Sequence, residues 1–465
     1  MSDLALPPEL EAIRERLPEL VAGLEERAPY GAALAASVST FEAVVTDREQ
    51  RVSEGERSLG AVFTAWNGEF LQERAVGSLS ADALAAAARE LAAALQVRPG
   101  QPTPLPGSPQ VAHFSMPIAV DPRSHTPRDK LELCQRYHAA VRNLDPRLIN
   151  AQVGYRETVE AKVYANRTRL LSQSLVRIRF RIMLFASNGQ KVVRDWLTRD
   201  GTGGLEIAQA GDEELHALAE GCVALLGAGR IEPGTYDIVC DPSVAGVVAH
   251  EAFGHGVETD MFLKGRAKAA EYLGERVGSP LVNLLDDPTV PGAYGSYLID
   301  DEGQVAAPTV ILRAGVFERG LTDLYSAFKL GIPRTANGRR ESVGRKAYAR
   351  MSNTVFARGT TPVADLLAGL ERGIYLRKAG GGMEDPKGWG MQVEAVLGEE
   401  YAGGRPTGRV FAPVGITGYV PDILSAVSAV GDDFALDGGT CGKGWKEWVP
   451  VSSGGPHLRT RARLG

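Results

Sequence analysis

Hydrophobic residues recur at helical spacing near the N-terminus. Leu10, Ile13, Leu17, Leu20, Val21 and Leu24 share one stripe and predict a helix over residues 8–27. The period then shortens. Phe41–Asp47 and Ser58–Trp66 read as strands, and Asn67-Gly68 has hairpin-turn chemistry leading into Glu69–Val76. Ser80 is placed to cap an alanine-rich helix running to about Leu95. Residues 98–109 are too rich in proline for a helix or a central strand and read as a linker. A helix over Pro127–Asn143 carries Cys134 and His138, four residues apart, which read as packing.

From Leu148 to Leu197 the pattern becomes one of long strands. Val176, Ile178, Phe180, Ile182 and Leu184 alternate with Arg177, Arg179 and Arg181, so one face is buried and the arginine row reads as a solvated face. A helix over Asp212–Leu226 precedes a glycine-rich boundary at 227–234. Thr235–Cys240 is the next strand. Asp241 and Pro242 then supply an N-cap and a first-turn proline for an apolar helix ending near Gly254 and Gly256. Phe262–Glu275 reads as a partly helical flap. Tyr297–Asp300, Thr309–Leu312, Trp389–Leu397 and Gly408–Pro413 read as strands, and Asp286-Asp287 and Asp300-Asp301 as loop carboxylates, either solvated or cation-binding.

The pattern predicts an α+β fold: an N-terminal α/β module over 1–110, a middle antiparallel sheet over 111–230, and a β-rich C-terminal domain over 231–465. Composition narrows the classes. A net charge of −6 gives no footprint for nucleic acid, and no apolar run is long enough to span a membrane. Four cysteines in 465 residues build no disulfide framework, and a cytoplasmic location is the expectation.

The apolar helix carries the chemistry, as His250-Glu251-x-x-x-His255. Two imidazoles supply two of the three protein ligands of a catalytic zinc, and an adjacent carboxylate can take the proton of a bound water. Five residues of ideal helix separate the rings by about 140°, so the spacing predicts a π-bulge eased by Gly254. Cys441, ringed by Gly438, Gly439, Gly442 and Gly444, fits a third ligand or a small buried thiol, and spacing does not decide between them. Arg339 and Arg340 fit a substrate carboxylate or neighbouring backbone, and Gly380–Gly382 fit close approach of a peptide backbone.

His250-Glu-Ala-Phe-Gly-His255-Gly-Val-Glu-Thr-Asp260 resembles the metal helix of the TldD/PmbA family of zinc metallopeptidases. So do Asp300-Asp-Glu-Gly303, Asn337–Ser342, Arg350–Thr354, Gly373-Ile-Tyr375, Gly380–Gly382 and Gly439–Lys443, in the family's order from about residue 231 to the end. The resemblance implies that His250, His255 and Cys441 hold zinc, as in the TldD type rather than its metal-free PmbA-type partners. It implies a peptidase acting on unfolded or short peptides, with Glu251 as general base, Gly380, Gly381, Gly382 and Arg339 near the substrate, and a homodimer or a heterodimer with a PmbA-type relative. A hydrolase of a non-peptide amide and a non-catalytic scaffold subunit are the alternatives. One departure stands out: Gly444-Trp445 follows Lys443 where the family commonly has Gly-Gln.

Overall fold

The structure, a computed structural model, describes residues 4–98, 100–444 and 446–465. Trp445, the point of departure from the family pattern, lies outside the described residues, as do 1–3 and Pro99 of the proline-rich stretch.

An eight-stranded sheet fills the first half. Its order is Leu71–Val76, Ser58–Trp66, Tyr30–Thr46, Leu148–Asn166, Arg169–Ser187, Gln110–Ser115, with Gln50–Glu54 and Val192–Thr202 pairing at its sides. Tyr30–Thr46 runs antiparallel to Leu148–Asn166 from Ala32–Asn166 to Thr46–Gln152, so the stretches on either side of the proline-rich linker share one sheet. The strand expected at Phe41 begins at Tyr30. Its first half, Gly31-Ala-Ala-Leu-Ala-Ala, is buried on both faces and carries no alternation to read. The helix expected over 8–27 is two, Pro8–Arg14 and Leu17–Glu25, because Pro18 cannot donate within a continuous helix but fits the first turn of the second.

Val176, Ile178, Phe180, Ile182 and Leu184 are fully buried in one core with residues of the helices Pro127–Arg142 and Asp212–Ala224. The arginine face is only partly the solvated face expected: Arg181 is exposed, Arg179 is half-buried and Arg177 is buried. Arg177 is 3% exposed, meets Glu160 at 2.8 Å and donates to the carbonyls of Tyr294 and Ser296 at 2.9 Å, both in the second half. A positive charge on such a face needs partners where another layer covers it. Here that layer is the C-terminal half.

The C-terminal half is built on a closed barrel. Arg372–Asp385, Gly234–Cys240, Leu458–Leu464, Val414–Tyr419 and Gly390–Ala402 pair in that order, and the first and last also pair with each other. Beside it lies a sheet ordered Val316–Phe317, Thr309–Arg313, Leu284–Asp286, Asn353–Phe356, Val449–Gly455, Ala435–Cys441. The helix Pro242–Phe253 packs against strands of both, and all its residues from Val244 on except Val247 are buried, as an all-round apolar helix requires. Tyr297–Asp300 is not a strand; only Ile299 bridges to Val305.

Of the two carboxylate pairs, Asp286 and Asp300 are buried rather than solvated, and Asp287 and Asp301 are half-buried. Asp286 accepts hydrogen bonds from the Ser352 amide (2.9 Å) and hydroxyl (2.6 Å) and from Asn337 (2.7 Å); Asp300 accepts from the Gly338 amide at 3.0 Å, and Asp301 from Lys162 at 2.7 Å. Buried irregular backbone has donors without a ladder, and these acids satisfy them. Among the described residues no helix is long and apolar enough to cross a membrane.

The placement of the apolar helix rests on Gly246, where a Cβ would overlap the backbone of Ser453 and Gly454. We expect Gly246→Ala to lower the unfolding free energy by about 1–3 kcal/mol, read from denaturant midpoints. Gly23→Ala, in a helix with nothing within 4 Å of the added methyl, should instead stabilise by about 0.5–1 kcal/mol.

Candidate metal centre

Asp241 caps the apolar helix by accepting from the Val244 amide at 2.9 Å, and its second oxygen accepts from the Lys378 amide at 2.9 Å. Ser243 accepts from the Ala379 amide at 2.9 Å. The helix start is thereby tied to the strand Arg372–Asp385. At the other end no π-bulge forms. The α-helix stops at Phe253, Gly254 sits at φ −88° and ψ −75°, and His255–Val257 form a 3₁₀ turn. The tighter turn changes the angular step per residue, and the two imidazoles end 5.3 Å apart, centroid to centroid, with their planes at 87°. A Cβ at Gly254 would overlap Met351 Sδ and the His250 carbonyl, which leaves only glycine at this break.

Cys441 ends the strand Ala435–Cys441, which pairs antiparallel with Val449–Gly455. Its sulfur lies 3.3 Å from His250 Nε2 and 3.0 Å from His255 Nε2. The three donor atoms all lie within 4.8 Å of one another. Sulfur and nitrogen ligands of one tetrahedral ion at ordinary bond lengths are about 3.5 Å apart, so this donor set fits a single metal. The Nδ1 atom of His250 is buried without a hydrogen-bond partner among the described residues, whereas Nδ1 of His255 lies 3.5 Å from Glu258. A carboxylate behind a ligating imidazole fixes its orientation and raises its basicity.

Glu258 and Arg350 form an ion pair at 3.1 Å with both side chains 1% exposed. Arg350 also donates to Cys441 Sγ at 3.0 Å, to the Cys441 carbonyl at 3.1 Å and to the Glu447 carbonyl. Lys443 spans Glu258 (2.8 Å) and Asp260 (2.6 Å). Burial opposes charge on Glu258, yet Lys443, His255 and Arg350 outweigh it and hold the carboxyl far below the usual range. Burial likewise pushes the Cys441 thiol up, and the two imidazoles more than reverse that, leaving its pKa well below that of an ordinary thiol. Burial disfavours charge on His255, but the Cys441 thiolate and Glu258 raise its pKa well above normal. A thiolate and two basic imidazoles are thus stabilised together. Glu258, Arg350 and Lys443 lie inside stretches that carry the family resemblance, but sequence reading assigned them no role.

Glu251 is buried beside His250, and burial, opposed by both histidines, raises its pKa. A cavity of about 1500 Å³ opens over it, lined by His250, His255, Cys441, Gly380, Gly381 and Gly382 among others. A Cβ at Gly382 would come within 2.7 Å of Glu251 Cγ, so the glycine lets the strand run against the carboxylate. Arg339 is not in this cavity. Its guanidinium is buried, stacks on Tyr297 at 4.8 Å and donates to the carbonyls of Met351 and Pro450. The roof is the arginine face of the first sheet: Arg179, which meets Asp200 at 3.2 Å, and Arg181, which lies 5.3 Å over Trp196, both line the cavity. Glu384 lines it too, a residue that only the glycine run before it could have marked.

Residues 233–463 match the family model for the PmbA/TldA metallopeptidase C-terminal domain, and 120–226 match that for the central domain. A metalloprotease from Synechocystis is 31% identical over 475 residues, covering 97% of this chain and 98% of its own. One from Methanothermobacter thermautotrophicus is 34% identical over 358 residues, or 76% of this chain and 78% of its own. Among solved structures, a protein from Thermotoga maritima described as a candidate modulator of a DNA gyrase superposes with a TM-score of 0.78 at 18% identity. It covers 97% of this chain and 100% of its own, a likeness of fold.

In chelator-stripped protein we expect the thiolate absorbance near 240 nm to persist at pH 7, where a thiol with a pKa of about 8.5 is neutral. The sign follows from the depressed pKa of Cys441: the thiolate survives as pH falls until its own low pKa is crossed. Burial pushes Cys134 and Cys222 up to about 12 and raises Cys240 too, so Cys441→Ser should abolish the signal. Arg350→Gln strands Glu258 as a buried charge with one partner removed, and thermal denaturation should register a loss of about 3–5 kcal/mol.

Proposed function

The chain belongs to the PmbA/TldD metallopeptidase family, and on that premise we propose that it is a zinc peptidase of unfolded or short peptides. The observation that carries this reading is the convergence of His250, His255 and Cys441 within 4.8 Å, with Glu251 beside them under the cavity. Two imidazoles and a thiolate are a donor set suited to zinc, with a fourth position left open to water. Zinc held there would supply Lewis acidity and bring the pKa of a bound water towards neutrality.

The remaining work falls to this chain's own residues. Glu251 takes the proton of the attacking water and returns it to the leaving amine, and a carboxyl raised above its usual pKa serves both directions near neutral pH. The strand Arg372–Asp385 receives the substrate backbone. Gly234–Cys240 pairs with it only from Gly373 to Leu376, so among the described residues the edge from Gly380 to Gly382 has a strand partner on one side alone. An extended peptide added there would run past Glu251, and only an unfolded chain can offer its backbone this way. Met383 and Trp448, 62% and 40% exposed at the cavity, are positioned for a second copy or a PmbA-type relative to complete the enclosure. Four free cysteines accord with a cytoplasmic setting.

Elemental analysis of the purified protein should return one zinc per chain. Glu251→Gln should keep that zinc while kcat/KM on an unstructured peptide falls by about 10²–10⁴. His255→Ala and Cys441→Ala should lose the zinc itself. Undiminished peptide cleavage by Glu251→Gln, or full zinc retention by Cys441→Ala, would sink the assignment.

A further inference from the structure

Most charged groups around the cavity are already paired. Arg179 meets Asp200, Arg199 meets Glu214, Lys378 meets Asp195, Arg377 meets Glu399, and Lys443 meets Glu258 and Asp260. Glu384 differs. Both of its carboxylate oxygens are buried, and neither has a hydrogen-bond partner among the described residues. A buried carboxyl left without partners costs free energy, and such groups call for an explanation. Packing does not supply one. At Gly256 a Cβ would come within 2.9 Å of Oε1, so the residue after the second histidine carries no side chain that would crowd this carboxyl.

Position along the strand suggests what it is for. Glu384 follows Gly382 by two residues on Arg372–Asp385, so the two side-chain directions share a face, about 7 Å apart. The Gly382 direction points at Glu251, and the Glu384 direction at the turn bearing His255. A peptide lying along this edge with its scissile bond at Glu251 therefore sets a neighbouring residue in front of Glu384. Met383, exposed at the cavity, alternates with them along the strand.

We propose that Glu384 is a specificity-determining residue that binds a protonated nitrogen of the substrate peptide, one or two residues from the scissile bond. This rests on the peptidase reading. The cation can be a lysine or arginine side chain or the peptide's own N-terminal ammonium; the chemistry is shared. A substrate cation entering this pocket gives the carboxylate the partner that the folded chain withholds, and a desolvated pair of this kind discriminates strongly.

The test uses the full-length, zinc-loaded chain with Glu251→Gln, so that binding is measured without turnover. Fluorescence anisotropy would follow a neutral, unstructured peptide carrying lysine or norleucine at successive positions, each with a free or an acetylated N-terminus. At one position lysine should bind at least about tenfold tighter than norleucine. Adding Glu384→Gln should collapse that ratio to near one, and Glu384→Lys should transfer the preference to a glutamate peptide. If the free N-terminus rather than the side chain is read, acetylation removes the gain instead. Equal affinity for all the peptides, or a lysine preference that survives Glu384→Gln, overturns the proposal. Bound zinc, measured on every variant, separates a lost contact from a lost fold. Failure of the peptidase reading looks different: the chain with Glu251 intact cleaves none of these peptides, while the Glu384-dependent binding persists.

Discussion

The ion pair between Arg350 and Glu258 is the constraint on which the centre depends. Neither group is solvated, and each helps make the other tolerable at 3.1 Å, with Lys443 a second partner of Glu258 at 2.8 Å. Their remaining hydrogen-bonding capacity is then spent on the site. Arg350 reaches the sulfur and the carbonyl of Cys441, while Glu258 reaches His255 and Lys443. Two of the three candidate ligands, one on the turn after the helix and one at the end of a distant strand, are held in register by one buried pair. The third, His250, is positioned by the helix itself, whose start is fastened through Asp241 and Ser243 to the strand that floors the cavity.

That dependence explains why so much polar chemistry is buried around a single helix. Asp286, Asp300 and Asp301 hold the segments that carry Asn337, Arg339 and Arg350 past one another, where the only ladder is the two-residue pairing of Gly338–Arg339 with Tyr348–Ala349 among the described residues. Arg339, which sequence reading set near the substrate, is absorbed into this scaffold by the carbonyls of Met351 and Pro450. The first half has the same logic. Its arginine face reads as a solvated sheet surface until the second half is laid against it; then Arg177 becomes a buried clamp and Arg179 and Arg181 become a roof.

What the sequence made legible was local and periodic. The helix cap at Asp241, the capping serine at residue 80 and the alternation from Val176 to Leu184 depend on neighbours within a few positions and form as expected; the hairpin at Asn67-Gly68 forms too, with its second strand starting at Leu71 rather than Glu69. The two histidines were legible as a pair from their spacing, and Cys441 from its glycines and the family pattern. The illegible features needed the third dimension. The 3₁₀ turn at His255 starts at Gly254, where Met351 leaves no room for a Cβ, a contact across about a hundred residues that no helical wheel contains. Tyr30–Ala35 has both faces covered, and a run of alanines does not advertise that. Glu384 stands alone in sequence and acquires meaning only from the turn it faces.

The strand Arg372–Asp385 brings these levels together. Its glycines are needed because Gly382 runs against the carboxylate proposed as the base, so close contact with the chemistry and an edge bare of side chains arise from the same residues. Two residues further on, the strand carries Glu384, whose two carboxylate oxygens are both buried and unpartnered among the described residues. Backbone pairing along the glycines is indifferent to side chains and would accept any extended peptide. On the proposed reading, a charge at a fixed distance from the bond to be cut would convert a general edge into a selective one, and a strand would set that distance without a separate recognition loop.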